Sequence, residues 1–174
     1  MLNDIKTARE IVTPLKQYPH IRKDAPVSDA VAQLLGYCST DGRCMYYEEI
    51  LVVDDSQRLV GRLSIRDILT GFFPSILAPE PAGIFGGKKA SFTDLSTLFE
   101  DSFRRECRRQ ATHTVGEFMS KAHEPIDAGI HPLHILEIMM KDGVNSLPVT
   151  EKGVLLGAVR MTDIFRILAT YCTI

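Results

Sequence analysis

The sequence predicts an α/β (α+β) fold: two tandem β-α-β-β-α motifs packed around a pseudo-twofold axis, with an extra helix inserted between them. Three observations predict it. One phrase of the chain recurs at a constant spacing, and each copy passes from helical to strand periodicity in the same order. Each copy alone would leave one side of its small sheet exposed, which a second copy can bury.

The recurring phrase begins with Ile50-Leu51-Val52-Val53 and a polar turn through Asp54 to Arg58, then runs from Leu59-Val60-Gly61-Arg62-Leu63-Ser64 into Ile65-Arg66-Asp67-Ile68-Leu69. It returns 96 residues later as Ser146-Leu147-Pro148-Val149, a turn through Glu151-Lys152-Gly153, then Leu155-Leu156-Gly157-Ala158-Val159-Arg160 and Met161-Thr162-Asp163-Ile164-Phe165. Upstream, Pro19 to Pro26 matches Pro125 to Pro132 at an offset of 106, which places a ten-residue insertion in the first copy, around Ser39-Thr40-Asp41-Gly42-Arg43.

Taken in order, Val27, Ala30, Val31, Leu34 and Leu35 form one apolar helix face. Two short strands follow, Val52-Val53 and Leu59-Val60, bracketing the polar turn. A second helix has its face at Ile65, Ile68, Leu69 and Phe72, matched by Met161, Ile164, Phe165 and Leu168 in the second copy. Between the copies, the prolines and glycines from Pro74 to Gly87 mark an irregular loop. Ser91-Phe92-Thr93-Asp94 then reads as a capping box opening a helix with Phe92, Leu95, Leu98, Phe99 and Phe103 on one face and Arg104, Arg105, Arg108 and Arg109 at its end. That face covers the pair's sheet or seals a dimer. The division is a first motif over residues 1–73, loop and amphipathic helix over 74–112, and a second motif over 113–174.

Composition narrows the function classes. At 174 residues, 45% hydrophobic and 24% charged, the chain can bury a core. No apolar run reaches the roughly 18 residues of a membrane span, and Met1 to Glu10 alternates in charge, so neither membrane insertion nor secretion is expected and the cytoplasm is the expected compartment. Cys38, Cys44, Cys107 and Cys172 have no C-x-x-C spacing and read as reduced thiols. A net charge of -2 argues against a nucleic-acid partner. Ala82 to Lys89 approaches a phosphate-binding loop but puts Lys89 where a magnesium-binding hydroxyl belongs. His131 and His134, with His123, offer no regular metal spacing and read as a solvated first turn. No nucleophile has a plausible base, so no catalysis is expected.

The strongest site signal is Ser64 to Asp67, where a strand ends and a helix begins. Unpaired helix N–H groups accept phosphate there, the Ser64 hydroxyl can donate to it, and Asp67 can accept both hydroxyls of a ribose. The same residues also make an ordinary capping box. The second copy keeps Asp163 but has Arg160 in place of the serine; arginine cannot cap through an oxygen but can bind phosphate bidentately.

On these residues each copy resembles the CBS domain, and the two together resemble the pair known as a Bateman module, over Thr7 to Phe72 and Thr114 to Leu168. The resemblance implies an adenosine nucleotide (AMP, ADP, ATP or S-adenosylmethionine) in the cleft between repeats, with Ser64 on phosphate and Asp67 on ribose at one site and Asp163 at the other, where Arg160 departs from the family pattern. It implies that Leu51, Leu147, Pro148, His20 and Ile126 lie against the purine, although Leu51 and Leu147 read equally well as core. It further implies a regulatory sensor without a required cofactor, with or without Mg²⁺ beside the nucleotide, forming a homodimer and acting in trans on an effector protein. The alternative is a ligand-independent structural module for dimerisation.

Overall fold

The structure, a computed structural model, describes residues 5–37, 46–72 and 100–172. In chain order it contains a 3-10 turn (Ala8–Glu10), β1 (Thr13–Pro14), β2 (His20–Arg22), α1 (Val27–Gly36), β3 (Glu49–Val53), β4 (Leu59–Ser64) and α2 (Ile65–Phe72). There follow α3 (Glu100–Gln110), α4 (Val115–Phe118), β5 (Ile126–Asp127), α5 (Pro132–Asp142), β6 (Ser146–Glu151), β7 (Val154–Arg160) and α6 (Met161–Cys172). The expected order of strands and helices is therefore present in both copies. The insertion around Ser39 to Arg43, the loop-like segment Ala82 to Lys89, and the capping box Ser91 to Asp94 lie outside the described residues. Among the described residues, no helix is long and apolar enough to cross a membrane.

The chain divides into two compact units, each drawing on both copies. The first comprises Met1–Arg22, Ile50–Arg62 and Lys121–Ile174. Its four-stranded sheet has the order β1-β7-β6-β5, with β5 parallel to β6 and the other neighbours antiparallel. A two-residue hairpin loop, Lys152 and Gly153, joins β6 to β7; both have positive φ (48° and 80°), the backbone twist that such a loop requires. The core beside this sheet contains Ala8, Ile126, Ile135, Met139, Leu147, Val149, Val159 and Ile164. α5 is punctuated at both ends: Pro132 opens it, the His131 ring nitrogen Nδ1 accepts from the Leu133 amide at 3.2 Å, and Gly143 closes it at φ 65°. His131 thus serves as a helix cap.

β2, β3 and β4 form a three-stranded sheet with β2 parallel to β3. Here the structure shifts the expected upstream correspondence by one residue. Ile21 is the buried member of β2 and Ile126 of β5, and the helix caps Pro26 and His131 stand in the same relation, giving an offset of 105, not 106. The sequence match was drawn off register by proline identities, because Pro26 precedes its helix whereas Pro132 lies within one. Because strand side chains alternate, His20 and Ile126 are not equivalent: a slip of one residue reverses the face.

The second unit comprises Lys23–Glu49 and Leu63–Ser120. The chain leaving α3 is tied to the start of α1: the amides of Val27 and Ser28 donate to the carbonyls of His113 and Ala111, and those of Val115 and Gly116 donate to Ala25 and Lys23. Gly71 of α2 lies under the Phe118 ring, and a side chain there would overlap that ring. Phe72 meets Phe118 edge-on at 5.9 Å. The arginines expected at the end of the inserted helix are spread through α3, with Arg108 and Arg109 in its last turn.

The helix faces are narrower than their periodicity suggests. In α1, Val27, Ala30 and Leu34 are buried but Leu35 is 54% exposed; in α2 only Ile68 is buried and Leu69 is 47% exposed. α6 repeats the pattern, with Ile164 buried and Phe165 68% exposed.

Candidate functional site

Residues Ser64 and Asp67 meet where β4 turns into α2. The Ser64 amide and hydroxyl both donate to Asp67 Oδ2, at 2.8 and 2.6 Å, and the Asp67 amide donates back to Ser64 Oγ at 3.1 Å. This is a complete capping box, so the local reading of the motif holds in its geometry. The other carboxylate oxygen is engaged too: Ser120, from the end of the α4 segment, donates its hydroxyl to Asp67 Oδ1 at 2.6 Å.

An open cavity of about 500 Å³ lies against this carboxylate, with Arg66, Thr70, His113, Glu117 and Ser120 on its walls. Its volume is in the range of small-ligand clefts. Its walls carry hydroxyls, carboxylates, a guanidinium and an imidazole, and Phe118 supplies an aromatic edge. Sequence reasoning missed Ser120, His113 and Glu117 as neighbours of Asp67. A readable signal did exist for one of them: Thr114-x-x-Glu117 is a capping box, as is Thr7-x-x-Glu10, so each repeat begins with the same device.

The electrostatics of this wall are set by local hydrogen bonds. His113 Nδ1 lies 2.7 Å from Glu117 Oε2, and that bond, followed by those from the Thr114 backbone and hydroxyl, lowers the Glu117 carboxyl to about 2. Glu106 is likewise lowered to about 2, first by Arg109 and then by Gln110. A folded-state pKa below the unfolded one contributes stability above the unfolded value, and that contribution disappears as pH falls through the folded value. For Glu117 the window runs from 4.5 down to about 2. The stability difference between the wild type and Glu117→Gln should accordingly shrink as pH falls from 4.5 toward 2, measured by denaturant unfolding at a series of pH values. A difference that persists unchanged at pH 2 would mean that the carboxylate form is not what the cap uses.

The second copy is built differently at the corresponding place. The Arg160 amide donates to Asp163 Oδ2 at 3.2 Å, its Nε donates to the same oxygen at 3.0 Å, and its Nη2 donates to Oδ1 at 2.8 Å. Both side chains are largely buried, 13% and 12% exposed. The bidentate fork that the sequence reserved for phosphate here holds Asp163 itself, and Arg166 approaches the same carboxylate at 3.6 Å.

Ser64 and Asp67 belong to the second unit; the other expected contact residues belong to the first. Among these, Leu147 and Ile126 are part of the hydrophobic core, and Leu51 and Pro148 are buried in β3 and β6. His20 is half-buried, its Nδ1 3.0 Å from the Tyr18 carbonyl. Among the described residues, no group of three or more His, Cys, Asp or Glu is placed to hold a metal ion.

Comparison with known proteins places this architecture. The profile of the family described as "CBS domain" matches residues 8–73 and 115–170. No curated protein matches by sequence. Among solved structures, the CBS-pair protein CBSX2 from Arabidopsis thaliana superposes with a TM-score of 0.65 at 17% identity, covering 96% of each chain. CBSX2 in complex with AMP gives 0.63 at 15% identity, covering 97% of this chain and 99% of that one. The CBS domain of a bacterial CNNM/CorC family Mg²⁺ transporter in complex with ATP gives 0.62 at 16% identity, covering 94% and 87%.

Proposed function

We propose that this chain, which belongs to the CBS domain family, is a regulatory module that binds an adenosine nucleotide at Asp67 and has no catalytic activity of its own. The observation that carries the reading is the Asp67 carboxylate, at the start of α2 beside Ser64, opening onto a cavity of about 500 Å³ with Arg66 on its wall. The carboxylate accepts ribose hydroxyls, while the Arg66 guanidinium attracts phosphate; the Ser64 hydroxyl expected on phosphate donates to Asp67 instead, and the Ile65 and Asp67 amides are engaged by Glu48 and Ser64. That CBSX2 is known with AMP and the CNNM/CorC domain with ATP supports the ligand class. Leu51, Leu147, Pro148, His20 and Ile126 stay proposed purine neighbours on the family resemblance, all but His20 being buried.

Asp163 is proposed as the weaker or silent site, because Arg160 already neutralises it and would have to be drawn away before a ribose could approach. The nucleotide, with or without Mg²⁺, changes the packing of the module by binding one conformation better than another, and a homodimer passes the change to an effector protein. The cytoplasm is the proposed compartment. A second reading, a ligand-independent dimerisation module, is favoured by the closed Arg160–Asp163 pair and by the exposed apolar residues of α1, α2, α5 and α6.

Thermal unfolding in the presence of AMP, ADP, ATP and S-adenosylmethionine decides between the two readings. A nucleotide at a hundredfold its Kd stabilises by about 2.7 kcal/mol, which for a chain of this size is a rise of about 5–10 °C. Asp67→Ala should abolish the rise and Asp163→Ala should leave most of it. No shift with any of the four, together with no nucleotide carried through purification, leaves the structural module.

A further inference from the structure

We infer that Ser120 is an internal competitor for the nucleotide, holding in the ligand-free protein the Asp67 oxygen that a ribose hydroxyl takes on binding. This deepens the proposed function and rests on its assignment of Asp67 as the ribose acceptor. An ionised carboxylate only accepts, so the donors that reach one of its oxygens from the same side compete for it. Asp67 Oδ2 already receives two donors, the Ser64 amide and hydroxyl, which are also the cap of α2. Oδ1 receives the Ser120 hydroxyl at 2.6 Å, the length of a strong charge-assisted bond. Of the two oxygens, Oδ1 is therefore the one that can change partner without uncapping the helix.

Ser120 is suited to that exchange. It is half-buried on the cavity wall, so a ribose reaching Asp67 arrives where the Ser120 hydroxyl stands. It is held in place from one side by the α4 turn, whose Met119 amide donates to the Val115 carbonyl at 2.9 Å. From the other side the chain continues directly into Lys121 and the strands of the second copy. A hydroxyl exchanged at Asp67 is thus a hydroxyl released in the segment leading to the second repeat. The released segment is continuous in the chain with the second repeat. The incoming ribose hydroxyl has the same chemistry as the group displaced, an alcohol donating to a carboxylate.

Calorimetric titration of AMP into the full chain tests this with Ser120→Ala, Ser120→Cys and Ser120→Thr. Removing the competitor should tighten AMP binding by about tenfold in Ser120→Ala, in line with a hydrogen bond to a charged group. The ligand-free variant should at the same time melt lower than wild type, a combination that a residue contacting the nucleotide would not produce. Ser120→Thr keeps the hydroxyl and should bind like wild type; Ser120→Cys, a weaker donor, should fall between and carries the test if the alanine variant does not fold. Unchanged or weaker binding in Ser120→Ala and Ser120→Cys, with AMP still bound by the wild type, overturns the competitor role and leaves the nucleotide reading intact. Absence of binding in wild type and variants alike removes both.

Discussion

Gly157→Ala is expected to lower the melting temperature by about 10 °C. Gly157 sits in β7 at φ 151°, a conformation that side-chain-bearing residues rarely adopt, and β1 crosses directly over it. A methyl group there would collide with the Thr13 carbonyl oxygen and lie 2.9 Å from the Leu15 nitrogen and 3.0 Å from the Pro14 carbonyl carbon. All three are backbone atoms, so no rotamer change relieves the overlap. β1 must lift away, breaking its pairing with β7 and the 2.7 Å bond from the Leu15 amide to the Leu156 carbonyl. Backbone strain of about 1–3 kcal/mol plus hydrogen bonds of about 1 kcal/mol each gives roughly 3–4 kcal/mol, about 10 °C for this length. Gly143→Ala is the comparison that isolates the cause. Gly143 also has positive φ, 65°, but open space around it, and should lose only about 1 kcal/mol. Equal losses in the two variants would show that backbone strain alone, and not the close passage of β1, selects glycine at position 157.

That contrast also marks what a sequence can convey. The repeated Gly61 and Gly157 were legible as part of a recurring phrase, but the approach of β1 to the second of them joins residues more than 140 positions apart. Local signals were read correctly where the chain itself supplies the partner: the strand pairs, the start of α2 at Ser64, and the cap that Asp67 completes three residues on. The apolar stripes were located but not their width, because periodicity identifies a face without saying which edge another element covers; hence Leu35 and Leu69 emerge exposed. The place of Arg160 in the repeat and its fork are legible in the sequence, but not that the fork closes on the carboxylate three residues ahead. Ser120 could not have been read at all, since it reaches Asp67 across 53 residues from a segment with no distinguishing pattern.

The exposed residues at corresponding positions carry the second large effect. Leu69 and Phe165 occupy the same step of the repeated helix in the two copies, and Leu35 and Met140 stand in the same relation at the earlier one, 54% and 69% exposed. Each unit therefore presents an apolar pair that its own core leaves uncovered. Single exposed leucines need no explanation, but the same two positions are left open in both copies, and the proposed homodimer would cover them. Fully burying a leucine, methionine or phenylalanine contributes about 1.5–3 kcal/mol, and a dimer would bury each of these side chains twice. Leu69→Glu with Phe165→Glu should accordingly raise the dimer dissociation constant by at least about a hundredfold, equivalent to roughly 2.7 kcal/mol, as read by sedimentation equilibrium. The monomeric variant should keep its fold, because neither side chain lies in the core, and should keep its thermal response to nucleotide if Asp67 binds within one chain. A wild type that sediments as a monomer at about 100 μM would instead assign these side chains to the effector, and the double variant would then lose that partner while its own sedimentation stayed the same.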